Sequence, residues 1–344
     1  MFYIQQIQCI SPQQTFPQAS LDTLLDPVNN KLNVIEPSYD GVPRNALRRM
    51  SKSVRIGVGA ALPIIKNTGT HIDGIIIGTA NGGMEDSIVF LKQVIEFEEG
   101  VITPGHFVQS TANATAAQLS LVSANKNYNI THVHRGHAFE LALIDAAMQL
   151  RENADSNYLV GGVDEISVYN YKLDELDNWY KPAPVTAGNF YTQNTPGSVA
   201  GEAAVMLLAT NDSANAIAAV IDIVTLHTTD IADVQLALQN ILAKHGDTID
   251  IFLSGENGDN RFDTFYTAVE NELNNDVTVA RFKHICGEYP TATSFALWFA
   301  CELLSTSHIP AHAVKKQGSS SFKNVLIYNV HKGVQHSFIL VRES

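Results

Sequence analysis

The residues best placed to do chemistry lie between Asn129 and Glu165, in NITHVHRGHAFELALIDAAMQLRENADSNYLVGGVDE. The segment reads as a short strand, a sharp turn at Arg135-Gly136, an amphipathic helix, and a buried strand ending in Gly161-Gly162. Leu141, Ile144, Ala147 and Met148 recur at helical spacing, whereas Tyr158, Leu159 and Val160 form a run too short and apolar for anything but strand. A strand that turns abruptly into a helix sets the first helical residue over free backbone N–H groups. That geometry holds a nucleophile and stabilises its anion. The corner here carries Gly136, which has no side chain to do chemistry with.

Other candidates surround this corner. His132 and His134 alternate along one strand and His137 opens a helix pointing elsewhere, so no metal site is expected from them; metal sites usually add a carboxylate or cysteine. GTANGG (78–83) has the look of a phosphate loop but lacks the lysine of GxxxxGK[ST], and reads as a plain strand-to-helix turn. The three cysteines, Cys9, Cys286 and Cys301, show no CxxC spacing, which argues against a disulfide framework and a zinc ribbon. No cofactor is implied.

The elements that must position these residues come from a chain of 344 residues, 45% hydrophobic and only 17% charged. Such a chain buries one large core or two fused ones, and low charge suits a layered α/β protein with helices covered on both sides. No apolar run reaches the roughly 18 residues of a membrane span. The N-terminal MFYIQQIQCISP lacks the basic and small-residue parts of a signal peptide, so a cytoplasmic location is expected. A net charge of −13 disfavours nucleic acid and anionic membrane as partners. Arg44, Arg48, Arg49, Lys52 and Arg55 form the only basic cluster, read as the solvated face of one helix or a local docking patch.

Strands are expected at the N-terminal PheTyrIleGlnGlnIleGlnCysIle, at 72–78, and at 200–209. Helices are expected over 44–65, ending near Pro63, over 84–95 and over 111–125. Beyond NDSANA (211–216) the grammar repeats: strand 217–227, helix 231–245, strand 249–253, helix 262–273, strand 277–285, the apolar helix 292–305, and strands 325–329 and 336–341. A pattern repeated over half a chain suggests two similar halves, 1–210 and 211–344, packed as one compact unit.

With the elements in order, four segments carry a resemblance: LeuValGlyGlyValAspGlu (159–165), GlySerValAlaGlyGluAlaAlaVal (197–205), LysHisIleCysGlyGlu (283–288), and PheValGlnSerThrAlaAsnAlaThrAlaAla (107–117). Together they resemble the β-ketoacyl synthases of the thiolase fold over nearly the whole chain. The resemblance implies a five-layer α-β-α-β-α core and a dimer with active sites beside the subunit interface. It also implies decarboxylative condensation of an acyl group, held on a cysteine, with a malonyl group on an acyl carrier protein, supported by two histidines and a lysine.

Carried over residue by residue, the cysteine falls at Gly136, the first histidine at Gly255 and the second at Glu288. Lys283 keeps the lysine, and Asp263 matches a later aspartate. The Gly- and Phe-rich C-terminal turn becomes ValHisLysGlyValGlnHis (330–336). Without a nucleophile at the corner, covalent acyl capture is not expected there. Arg135, His137 and Glu288 are expected to fill the vacated pocket as a polar network. Cys286 reads as a buried structural cysteine, with a displaced nucleophile as the alternative.

The expectation is therefore a degenerate subunit similar to chain-length factors and to the ketosynthase-like proteins of aryl-polyene and flexirubin pathways. Such a subunit would pair with an active ketosynthase and receive carrier protein through that partner or through the Arg44–Arg55 patch. The alternatives are an active acyltransferase and a homodimeric acyl-chain-binding scaffold.

Overall fold

The structure is a computed structural model and describes residues 1–102, 104–246, 249–318 and 321–344. The first half supplies strands β1 (Phe2–Ile10), β2 (Gly74–Gly78), β3 (Tyr128–His132), β4 (Asn157–Asp164) and β5 (Ala203–Thr210). The second half supplies β6 (Ala218–His227), β7 (Ile251–Ser254), β8 (Thr278–Arg281), β9 (Asn324–His331) and β10 (Gln335–Glu343). Their order is β3-β2-β4-β5-β1 in one half and β8-β7-β9-β10-β6 in the other. Each half has the same sense of pairing: the first three strands of this order are parallel and the last two join antiparallel. Three antiparallel pairs between β1 and β6, from Phe2↔Val220 to Ile4↔Ala218, fuse the halves into one sheet, with the short strand Val314–Lys316 beyond β8.

The principal helices are α1 (Lys52–Asn67), α2 (Met84–Glu96), α3 (Ala114–Ser123), α4 (Ala138–Glu152), α5 (Val168–Leu176), α6 (Ile231–His245), α7 (Asp263–Asn271) and α8 (Ala292–Thr306). The layering follows from the alternation of side chains along each strand. On β2, Ile75 and Ile77 join Val54, Ile56 and Ala60 of α1 and Leu119 of α3, whereas Ile76 faces the other way onto α4 and α8. On β9, Leu326 and Tyr328 meet Val234 of α6 and Tyr266 of α7, while Val325 and Ile327 face α8. Helices α4 and α8 therefore form a central layer between the two half-sheets, with α1 and α3 outside one and α6 and α7 outside the other. This is the thiolase-like five-layer α-β-α-β-α arrangement. A central helix must be apolar all round, and α8 buries almost every residue from Ala292 to Leu304.

Two elements differ in kind from the expected ones, the rest by at most a few residues at their ends. The helix expected over 44–65 is broken by an extended Ser51 into a short turn, Arg44–Leu47, and α1, which runs through Pro63 to Asn67. Pro63 removes one helical hydrogen bond, but Leu62 and Ile64 on either side are buried and hold the helix against the sheet. The strand expected over 277–285 stops at Arg281, and Lys283–Cys286 form a helical turn. An extended chain would send Lys283 and Glu288, five residues apart, to opposite faces; the turn lets them meet. Among the described residues no helix is long and apolar enough to cross a membrane.

Candidate functional site

The strand-to-helix corner is where the sequence puts it: β3 ends at His132, Arg135–His137 form a single 3-10 turn, and α4 begins at Ala138. Arg135 sits in the left-handed region at φ 49°, which a non-glycine residue adopts at a cost of order 1 kcal/mol. Gly136 N–H, one of the free amides of this corner, donates to Gln335 Oε1 at 3.0 Å. A Cβ on Gly136 would lie 2.3 Å from Cβ of His331 and 2.6 Å from its Cγ. The space in front of the corner is therefore filled from the opposite strand.

The same strand fills the space beside Gly255. A Cβ there would lie 2.5 Å from Oδ1 of Asn329 and 2.9 Å from the Tyr328 carbonyl. Asn329 and His331 are two residues apart on β9 and so share one face of it. One strand end thus abuts both glycines.

Glu288 lies beside His331. Its Oε2 accepts from Lys283 Nζ at 2.9 Å and from Asn257 Nδ2 at 2.9 Å, and its Oε1 stands 3.8 Å from His331 Nδ1. Burial opposes the charge on Glu288, but Lys283 and then His331 outweigh it and hold the carboxyl down at about 2. Lys283 is fully buried, and an unpaired buried ammonium is costly. The ion pair is the physical reason that a lysine is tolerated here.

Glu288, Asn257 and His331 line a pocket of about 440 Å³ together with Arg135, Glu165, Tyr180 and Trp179. Burial and the nearby Glu202 push the Glu165 carboxyl up to about 7. Arg135 is exposed at the pocket wall and, among the described residues, makes no side-chain hydrogen bond or ion pair.

The other sequence candidates lie elsewhere. His137 turns away from Glu288, donates to the His336 carbonyl at 3.1 Å and stacks on His134. The groups around Glu288 are instead Lys283 and Asn257, hydrogen-bonded to it, and His331 at 3.8 Å. Cys286 is fully buried in the central core with Sγ 3.3 Å from the Gly287 carbonyl, and burial pushes its thiol up. Asp263 opens α7 on the wall of a separate pocket with Glu256 and Lys315. His132 is bound to Asp145 at 2.9 Å. The GTANGG turn uses its amides internally, since Ala80 and Asn81 N–H both donate to Asp164 Oδ1. Among the described residues no group of three His, Cys, Asp or Glu side chains could hold a metal ion.

His331, Asn329 and Asn257 were not singled out in the sequence. The altered stretch at 330–336 is the available signal: it contains His331, and Asn329 precedes it at strand spacing from that histidine.

Residues 27–233 match the family described as β-ketoacyl synthase, N-terminal domain. The chain belongs to the β-ketoacyl synthase family. Among solved ketosynthases, a β-ketoacyl synthase from Burkholderia phymatum STM815 superposes with a TM-score of 0.77 at 14% identity, covering 100% of this chain and 99% of that one. The ishigamide ketosynthase/chain length factor gives 0.76 at 12% identity, covering 100% and 99%. The ketosynthase ApeO in complex with its chain length factor ApeC from Xenorhabdus doucetiae gives 0.76 at 13% identity, covering 100% and 98%. At these identities the likeness establishes a common fold. A comparison with curated protein sequences found no match.

The ketosynthase-like core also buries three neutral histidines. Burial lowers His137 and His336 to about 4, and burial with His312 nearby lowers His284 to about 3. His284 Nδ1 accepts from Tyr191 OH, and its other nitrogen meets His312 Nδ1 at 2.8 Å. An unfolded chain protonates these groups first, so their contribution is complete above an ordinary imidazole value of 6.5 and is lost on acidification towards pH 4. His284 alone removes about 3 kcal/mol over that window. Because the Glu140 and Glu165 carboxyls, raised to about 7, gain stability over the same fall in pH, the histidine share is read from the parent against His284→Gln. The deficit of the variant in thermal melts is expected to shrink as pH falls below 6.5, and a deficit constant down to pH 4.5 would contradict this burial state.

Proposed function

We propose that this chain is a non-condensing ketosynthase-like subunit of fatty acid or polyketide assembly, of the chain-length-factor type, which pairs with an active ketosynthase. In this reading Gly136, Gly255 and Glu288 stand where a condensing enzyme has its cysteine and two histidines, and Lys283 is the retained lysine. One observation carries it: His331 and Asn329 take up the room beside Gly136 and Gly255, so neither position accepts even a Cβ. A single missing nucleophile could be an isolated substitution, but two refilled positions and an ion pair at the third form one rebuilt surface. Two of the similar structures contain a ketosynthase together with a chain length factor, which supports the same assignment.

A partner surface supports the pairing. Strand β3 ends the sheet and, among the described residues, has a strand on one side only. Beside it Leu121 and Val133 are exposed, as are Phe107 and Val108 on the short helix Pro104–Gln109. An open edge with apolar flanks is a site for pairing with another subunit. The Arg44–Arg55 cluster offers less to a carrier protein than its composition suggests. Lys52 binds Glu202 and Arg55 binds Glu36, leaving Arg44, Arg48 and Arg49 exposed.

Co-expression with a cysteine-bearing ketosynthase is expected to give one complex on size exclusion. The chain alone, incubated with acyl-loaded carrier protein, is expected to show no acyl adduct by mass spectrometry. A stoichiometric adduct on any residue, Cys286 included, sinks this reading, and a stable homodimer that ignores the ketosynthase replaces it with an acyl-binding scaffold.

A further inference from the structure

The pocket holds an arrangement that a merely emptied site does not need. His331 is 6% exposed, and its Nδ1 faces Glu288 Oε1 at 3.8 Å with no other partner. Its other ring nitrogen makes no hydrogen bond among the described residues and, unlike Nδ1, is not sealed from solvent, and the residue lines the pocket. Glu288 is itself fixed by Lys283 and Asn257. At 3.8 Å the carboxylate and the imidazole are an electrostatic pair without a hydrogen bond; the negative charge favours the proton on Nδ1, which turns the lone pair of Nε2 to the pocket. Arg135, without an acceptor of its own, lines the same pocket and supplies a cation for developing negative charge.

We propose that His331, oriented by Glu288 and assisted by Arg135, activates water in this pocket to hydrolyse acyl thioesters. The substrate class rests on the ketosynthase-like reading above; the hydrolytic chemistry does not follow from it. Water oxygen forms the new bond to the acyl carbon while His331 Nε2 takes the water proton. The tetrahedral oxyanion faces Arg135. Collapse breaks the carbon–sulfur bond, and the leaving thiolate takes the proton back from His331. The products are a free acid and a free thiol, with no change of oxidation state and no acyl-protein intermediate. A subunit with this activity would clear stalled or wrong chains rather than extend them.

The test uses the full chain with acetyl and octanoyl thioesters of N-acetylcysteamine, followed by release of free thiol. The expected rate exceeds that of buffer, and Cys286→Ala retains it. His331→Gly loses about a hundredfold or more, and imidazole added to that variant restores turnover beyond the rate of imidazole alone. Arg135→Ala, at an exposed position, loses about a hundredfold. Lys283→Met/Glu288→Gln, which leaves neither charge bare, lowers kcat while KM stays. A parent rate equal to buffer overturns the proposal, as does a His331→Gly variant that keeps its rate or ignores imidazole. These outcomes leave pairing with a ketosynthase untouched, and failure to pair leaves hydrolysis standing.

Discussion

Gly136→Cys is expected to melt about 4 °C below the parent protein and to gain no acyl group from carrier protein. The reason is steric before it is chemical. A Cβ at this position would sit 2.3 Å from His331 Cβ and 2.6 Å from its Cγ, well inside any van der Waals contact. His331 cannot swing away freely, because it is 6% exposed and its backbone lies in the paired register of β9 and β10. Overpacking of this kind costs about 3 kcal/mol, or about 4 °C for a chain of this size. The amide that would serve an anion at the corner is also engaged, by Gln335 at 3.0 Å. Combining Gly136→Cys with His331→Gly removes the clash and is expected to recover most of the lost stability. Differential scanning calorimetry of the three proteins decides the matter; a single variant that melts with the parent and takes up an acyl group would show that the corner still has room for a nucleophile.

Much of the architecture was legible because it depends on local signals. The α6 helix was expected over the residues it occupies, since Asp230 caps it by accepting from Ala232 N–H and Lys244 and His245 close its last turn. The repeated order of strands and helices along the chain has its counterpart in the repeated strand order of the sheet. The corner at Arg135-Gly136 was visible as a break in hydrophobic period. What the sequence could not display was the filling of that corner. Gly136 and His331 are 195 residues apart, and nothing local marks His331 as the group that occupies the space. The expected partners of Glu288, Arg135 and His137, are the sequence neighbours of Gly136, but His137 spends its ring N–H on the His336 carbonyl, while Asn257 and His331 arrive from β7's following loop and from β9. Lys283 was placed in a strand because Val277 to Ile285 is apolar enough for one; only the need to bring a buried cation to an anion selects the helical turn.

That cation sets the second large effect. Glu288→Gln leaves Lys283, with a side chain 0% exposed, without its anion, and removing one partner of a buried pair costs about 4 kcal/mol. Glu288→His is expected to cost at least as much, because a neutral imidazole cannot balance the ammonium. Lys283→Met is milder, since Glu288 keeps Asn257 Nδ2 as a donor and is 16% exposed at the pocket. The double variant Lys283→Met/Glu288→Gln is expected within about 1 kcal/mol of the parent, as an apolar replacement of a buried pair often is. Glu140 adds a pH signature. It is fully buried on α4 and within electrostatic reach of Lys283, and burial lifts its carboxyl to about 7. At pH 8 it is ionised and takes over part of the missing charge; at pH 6 it is neutral and does not. The loss caused by Glu288→Gln, measured by denaturant unfolding against the parent, is therefore expected to be larger at pH 6 than at pH 8, and an equal loss at both would remove Glu140 from the electrostatics of this site.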